Sequence, residues 1–186
     1  PVSYMRRNEG IIFAALGLGK TIVEGEKSLR FSPKHPNIFP QYYSVKSTIN
    51  NSQNKFYSLN MNQGNNPIKK GESKNLEIHD LSIAEKHGNL KHVASVITNN
   101  DNIVRDSLKY QGVRVITFAN ILKYERFPIV DIINHLMKIG QNAFGCPIEI
   151  EFAVNLNNDS KDEFCLLQIK PMVIGSKDKD LKIAYY

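Results

Sequence analysis

The sequence predicts an α+β domain with a mixed, largely antiparallel sheet and a few packed helices. Three observations point there. Segments rich in β-branched and aromatic residues come in runs joined by short polar turns, which suits hairpins. One stretch, Pro128–Ala143, carries apolar residues at three- and four-residue spacing, the pattern of an amphipathic helix. The phrase Cys146–Met172 holds two alternating segments around the polar turn NNDSKD. In all, about six or seven strands and two or three helices are expected.

Taken in order, Glu9–Leu16 (EGIIFAAL) reads as a strand, followed by GLGK at Gly17–Lys20. A polar stretch runs to Arg30, and Pro33, Pro36 and Pro40 then forbid regular structure. Gln41–Ile49 and Lys55–Asn62 are rich in β-formers and predict a hairpin across NNSQN. Asn62–Lys74 is a Gly/Asn/Lys-rich loop. A short helix is expected over Leu81–His87, closed by Gly88. His92–Thr98 predicts a strand, Asn99–Asp101 a turn, Asn102–Leu108 a helical turn and Val113–Phe118 a strand. Pro128 fits the first helical position, and Ile129, Ile132, Ile133, Leu136, Met137 and Ile139 form the helix's apolar stripe. Gly145 stops it.

The last hairpin is the richest in chemistry. Ile148, Ile150, Phe152 and Val154 alternate with Glu149, Glu151, Ala153 and Asn155. On the return arm Phe164, Leu166, Gln168 and Lys170 alternate with Cys165, Leu167, Ile169 and Pro171. Residues two apart share a face and lie roughly 7 Å apart. Pairing the arms therefore gathers two carboxylates, an amide and an ammonium on one sheet face. Gln168 and Lys170 fall in the otherwise apolar run CLLQIKPM, where buried polar groups need partners. Mg²⁺ takes one or two carboxylates plus phosphate oxygens, and lysine meets phosphate as a point charge. An exposed acidic strand face explains Glu149 and Glu151 equally well.

Bulk properties narrow the classes. The chain has 186 residues, 41% of them hydrophobic, enough for one domain with its own core and two subregions at most. No run of about 18 apolar residues occurs, so no membrane-spanning helix is expected. Net charge is +6, but the lysines are scattered without interleaved arginine and aromatic residues, which disfavours nucleic acid and suits an anionic nucleotide. Cys146 and Cys165 read as a reduced, cytoplasmic pair, and no signal-peptide core precedes the domain. The abrupt ends, PVSYMRRNEG and KIAYY, predict an excised piece of a longer protein, with 173–186 a flexible tail or linker.

Two motif readings fail. A Walker A loop needs a glycine where Ala14 stands, and the dinucleotide fingerprint needs one at Ile22. GLGKT is then a turn after a strand, or it lines a nucleotide pocket by close backbone approach. A strand–loop–helix geometry would favour a P-loop switch protein. None of His35, His79, His87, His92 and His135 has zinc-ligand spacing.

At the hairpin, IEIEF and LLQIKPM resemble the end of the ATP-grasp nucleotide-binding domain of the phosphoenolpyruvate synthase and pyruvate phosphate dikinase family. GLG, Val23-Glu24-Gly25, LRFSP, FPQYYSVKSTINNS, GESKN and RDSL extend the resemblance over nearly the whole chain. The resemblance implies an ATP-grasp-type lobe, the C-terminal part of that domain spanning 1–186, with ATP and Mg²⁺ as cofactors. By position, Glu151 matches the metal-binding glutamate, Glu149 the acidic residue before it, and Gln168 the amide near the phosphates. Lys170 stands where the family usually has arginine, and Lys20 where many relatives have glutamate. Gly17, Gly19 and Lys20 fall in the nucleotide-lining part. The family phosphorylates a histidine on a separate domain and passes the phosphoryl group to a pyruvate-type substrate on a barrel. The first ATP-grasp lobe, the phosphohistidine domain and the barrel would therefore lie outside this sequence, and the isolated fragment would be inactive. A non-catalytic nucleotide-binding or regulatory module derived from that domain is the alternative.

Overall fold

A computed structural model of the chain describes residues 9–61, 75–157 and 160–172. The predicted loop at 62–74 and the predicted tail at 173–186 lie outside the described residues. The chain divides into two compact units, Pro1–Asp131 and Ile132–Tyr186. The described residues hold five α-helices, and their nine strands form four small sheets in which every pair is antiparallel. The α+β class predicted from the sequence is the class observed.

In the first unit, β1 (Ile12–Ala14) pairs with β2 (Leu29–Phe31), and the ladder buries Ile12, Leu29 and Phe31. Between them lies α1 (Lys20–Val23), a single turn. The predicted strand at Gln41–Ile49 is instead helical. A 3₁₀ turn at Pro40–Tyr42 leads into α2 (Val45–Asn51). Ser44 and Ser47 form a reciprocal capping box there, which outweighs the β-preference of Tyr42, Val45 and Ile49. The strand β3 (Lys55–Leu59) therefore pairs forward with β4 (Leu76–Asp80), the strand the sequence reading did not assign.

The short helix α3 (Leu81–Lys86) forms as expected, with Gly88 at φ +75° closing it. After a 3₁₀ turn at Leu90–His92, β5 (Ala94–Thr98) is buried along its whole length. It lies between β6 (Val104–Arg105) and β7 (Gly112–Ile116). The helical turn predicted at Asn102–Leu108 is replaced by β6, because Asn102 at φ +53° turns the chain back onto β5. A short α4 (Ala119–Leu122) then buries Ile121 and Leu122.

The predicted long helix is α5 (Ile129–Phe144), and the unit boundary falls in its first turn. In the second unit, Ile133 of α5 is buried, whereas Ile139, assigned to the same stripe, is 65% exposed. The unit's strands are β8 (Ile148–Asn155) and β9 (Glu163–Pro171).

Candidate functional site

The β8–β9 hairpin begins where Gly145, at φ +67°, ends α5 and turns the chain. Ile148 at its base is buried. A Cβ on Gly140 of α5 would collide with Ile148 and stand 2.6 Å from Cδ1 of Ile169. That glycine lets the helix backbone approach the paired strands closely, a feature missed in the sequence because an isolated mid-helix glycine otherwise only weakens a helix.

The register brings the four predicted hairpin residues together. Glu149 lies opposite Lys170, and Glu151 opposite Gln168. The ammonium of Lys170 sits 3.3 Å from Oε1 of Glu151 and 3.4 Å from Oε1 of Glu149, bridging the two carboxylates. These hydrogen bonds, first to Glu151 and then to Glu149, hold the lysine pKa above its ordinary value. The cluster is open to solvent, with side-chain exposures of 42% for Lys170 and 51% for each glutamate.

Two sequence expectations about this hairpin need correction. Simple alternation put Phe164 and Leu166 on the face of Gln168 and Lys170. A β-bulge intervenes: Glu151 faces Gln168 but Phe152 faces Leu166, leaving Leu167 as the extra residue. The pleat changes phase there, so Phe164 and Leu166 share the face of Phe152. The rings of Phe152 and Phe164 stack with centroids 5.5 Å apart. The second correction concerns burial. The run CLLQIKPM is not a buried run, since Leu166 is 44% and Leu167 64% exposed. Gln168 is exposed and Lys170 partly so, so neither needs a partner for burial's sake, and it is the register that brings them to the glutamates. The register also separates the cysteines. Cys165 pairs with Ala153, seven residues along from Cys146, on the order of 20 Å at strand rise, and both thiols are free.

Gly17, Gly19 and Lys20 belong to the first unit. Gly17 has φ +88°, and a Cβ there would stand 2.6 Å from the carbonyl oxygen of Tyr57. Leu18 N–H donates to that same carbonyl at 3.1 Å. The buried Gln53 side chain closes the other flank, accepting from Leu16 N–H and donating to Leu16 C=O, each at 2.8 Å. Gly19 caps α1 at φ −57°, a conformation open to any residue, with nothing near its Cβ position. Lys20 pairs with Glu24 at 2.6 Å and lies 5.8 Å over the Tyr57 ring. A strand and a helix do flank the loop, but β1 pairs antiparallel and α1 is one turn long. A P-loop switch protein is therefore disfavoured on geometry as well as on sequence.

A polar network gathers around Asp106 of the RDSL phrase, and the sequence alone gives no sign of it. Ser95, fully buried on β5, donates to Asp106 at 2.8 Å and lies 2.5 Å from the Thr117 hydroxyl. Lys123 and Tyr124 reach the other oxygen of Asp106 at 2.8 and 3.2 Å. Burial raises the Asp106 pKa, but the hydrogen bonds from Lys123 and Ser95 outweigh it and leave the carboxyl below its ordinary value. Its members are distant in sequence, and no local spacing announces them.

Among the described residues, no group of three or more His, Cys, Asp or Glu could hold a metal by itself. Nor is any described helix long and apolar enough to cross a membrane. No curated protein and no solved structure matches the chain significantly. One family model does, over residues 2–185: that of the pyruvate phosphate dikinase AMP/ATP-binding domain. With nearly every residue inside the match, the chain belongs to the pyruvate phosphate dikinase AMP/ATP-binding domain family and is a nucleotide-binding domain of a dikinase-like enzyme.

Proposed function

We propose that the chain is the C-terminal part of the ATP-grasp domain of a phosphoenolpyruvate synthase-like phosphotransferase, and that its last hairpin holds Mg²⁺ and the nucleotide's phosphates. The observation that carries this is the register, with Glu149 and Glu151 facing Lys170 and Gln168 on one solvent-open strand face. Two hard carboxylate donors side by side match what Mg²⁺ takes from a protein when phosphate oxygens complete its octahedron. The carboxylates of Glu151 and Glu149 would hold the cation, directly or through water. The Gln168 amide and the Lys170 ammonium would steady the β- and γ-phosphates. Mg²⁺, when bound, would neutralise charge on the transferring phosphoryl group. The chain's own residues position the nucleotide and supply fixed charge where it develops.

Gly17, Gly19 and Lys20 of the first unit are proposed separately as nucleotide-lining residues, and Lys20 would then leave Glu24 to reach a phosphate. The reading also places the protein in the cytoplasm. In the intact protein it requires a first ATP-grasp lobe, a phosphohistidine domain and a barrel acting on a pyruvate-type substrate. The test is Glu151→Gln in the full-length protein. ATP-dependent histidine phosphorylation should fall by at least roughly a hundredfold, the scale of losing one transition-state charge contact. Undiminished phosphorylation sinks the assignment.

A second reading is a nucleotide-binding or regulatory module without turnover. What favours it is that both lysines of the candidate site are engaged within the chain, Lys20 by Glu24 and Lys170 by the two glutamates. Titration of ATP into the full-length protein separates the readings, since binding without phosphohistidine formation supports the module.

A further inference from the structure

We propose that Lys170 is a built-in counter-cation, seated between Glu149 and Glu151 until a divalent cation displaces it and frees its ammonium for the nucleotide's phosphates. This rests on the reading of the hairpin given above and adds an order of events to it. The ammonium already occupies the place a cation would take, 3.3 and 3.4 Å from one oxygen of each carboxylate. A second cation at the same oxygens would meet like charge at contact distance, so the two occupants exclude each other. The lysine is able to leave: its side chain is 42% exposed, and an ammonium on a flexible four-carbon stem carries three rotatable donors. Among the described residues, Lys170 is the one cation at the Glu149 and Glu151 oxygens.

The consequence is coupling. Metal arrival releases the phosphate-binding ammonium, and a phosphate that draws the ammonium away clears the carboxylates for metal. Each ligand therefore raises the affinity of the other, reciprocally. In the absence of nucleotide, the lysine holds metal affinity down.

The test titrates Mn²⁺ alone into the intact protein, followed by electron paramagnetic resonance of free Mn²⁺. Lys170→Met should bind Mn²⁺ roughly tenfold more tightly than the wild type, while Lys170→Arg, which keeps the charge, should stay within roughly twofold. Metal-free ATP, titrated in chelator, should bind Lys170→Met more weakly than wild type. Unchanged Mn²⁺ affinity in Lys170→Met, with Glu151→Gln still abolishing Mn²⁺ binding, overturns the counter-cation and leaves the hairpin reading standing. Equal tightening in Lys170→Arg also overturns it, because charge would then be immaterial. If wild type and Glu151→Gln bind Mn²⁺ alike with ATP present as well as without it, the hairpin reading and this inference fail together.

Discussion

The glycine loop at Gly17–Lys20 and the hairpin face at Glu149–Lys170 both resemble parts of a nucleotide site, yet they dispose of their polar groups in opposite ways. The loop uses its groups on the protein itself. Leu18 N–H is taken by Tyr57 C=O, both backbone groups of Leu16 by Gln53, and the Lys20 ammonium by Glu24. The hairpin face leaves its two carboxylates half exposed to solvent, bridged by one exposed lysine. The loop is therefore a structural joint first, and the hairpin a surface whose charges remain open to exchange.

This contrast makes substitutions costly where they disturb the loop's internal bonds and close contacts, and nearly neutral on the hairpin face. The largest effect is expected for Gln53→Leu. It leaves the part-buried N–H and C=O of Leu16 without the buried Gln53 amide and should cost on the order of 2 kcal/mol by chemical denaturation. Close behind is Gly17→Ala, with a positive φ and a Cβ pressed against Tyr57 C=O, at about 2 kcal/mol. Gly19→Ala, at an ordinary φ with open space around it, should change stability by less than about 0.5 kcal/mol. A loss at Gly19 equal to that at Gly17 would break the distinction between joint and bystander. On the hairpin, Gln168→Ala should likewise shift stability by less than about 0.5 kcal/mol, since the residue is exposed and its partner strand is held by backbone pairing.

The smallest effects are in pH dependence, and their signs differ between the regions. Lys170 has a raised pKa, so its clamp contributes fully at and below the ordinary lysine value of 10.5 and is lost as pH climbs through the higher folded value. Glu24 has a lowered pKa through its hydrogen bond with Lys20. Its contribution is present above the ordinary 4.5 and is lost as pH falls through the lower folded value. Both pairs are solvent-exposed and screened by salt. Melting temperatures of Lys170→Met and Glu24→Gln against wild type, scanned across those two windows at low salt, should converge on wild type at alkaline and acid pH respectively. A difference from wild type that persists through those windows would overturn the assignment.

The hairpin was legible because its information is local. Alternation of Ile148, Ile150 and Phe152 with Glu149 and Glu151 fixes a face without knowledge of any partner. So was α5, whose stripe and flanking Pro128 and Gly145 are all contiguous. The bulge at Leu167 was half visible, since two adjacent leucines mark a change of phase. The α2 segment misled because Tyr42 and Tyr43 suggested a strand, while the two serines that cap the helix carried the decisive signal. The Ser95–Asp106–Lys123 network left no local trace at all.

By itself the sequence determined the α+β class, the family, and that Glu149 shares a strand face with Glu151 and Gln168 with Lys170, because periodicity and motif act over a few residues. Only the tertiary structure decided which polar groups are already satisfied. That depends on donors and acceptors meeting across long stretches of chain, as Gln53 meets Leu16 and Lys170 meets Glu149. A carboxylate pair in sequence is a candidate. The structure adds that one exposed ammonium bridges the pair, the contact on which the proposed exchange with a metal ion rests.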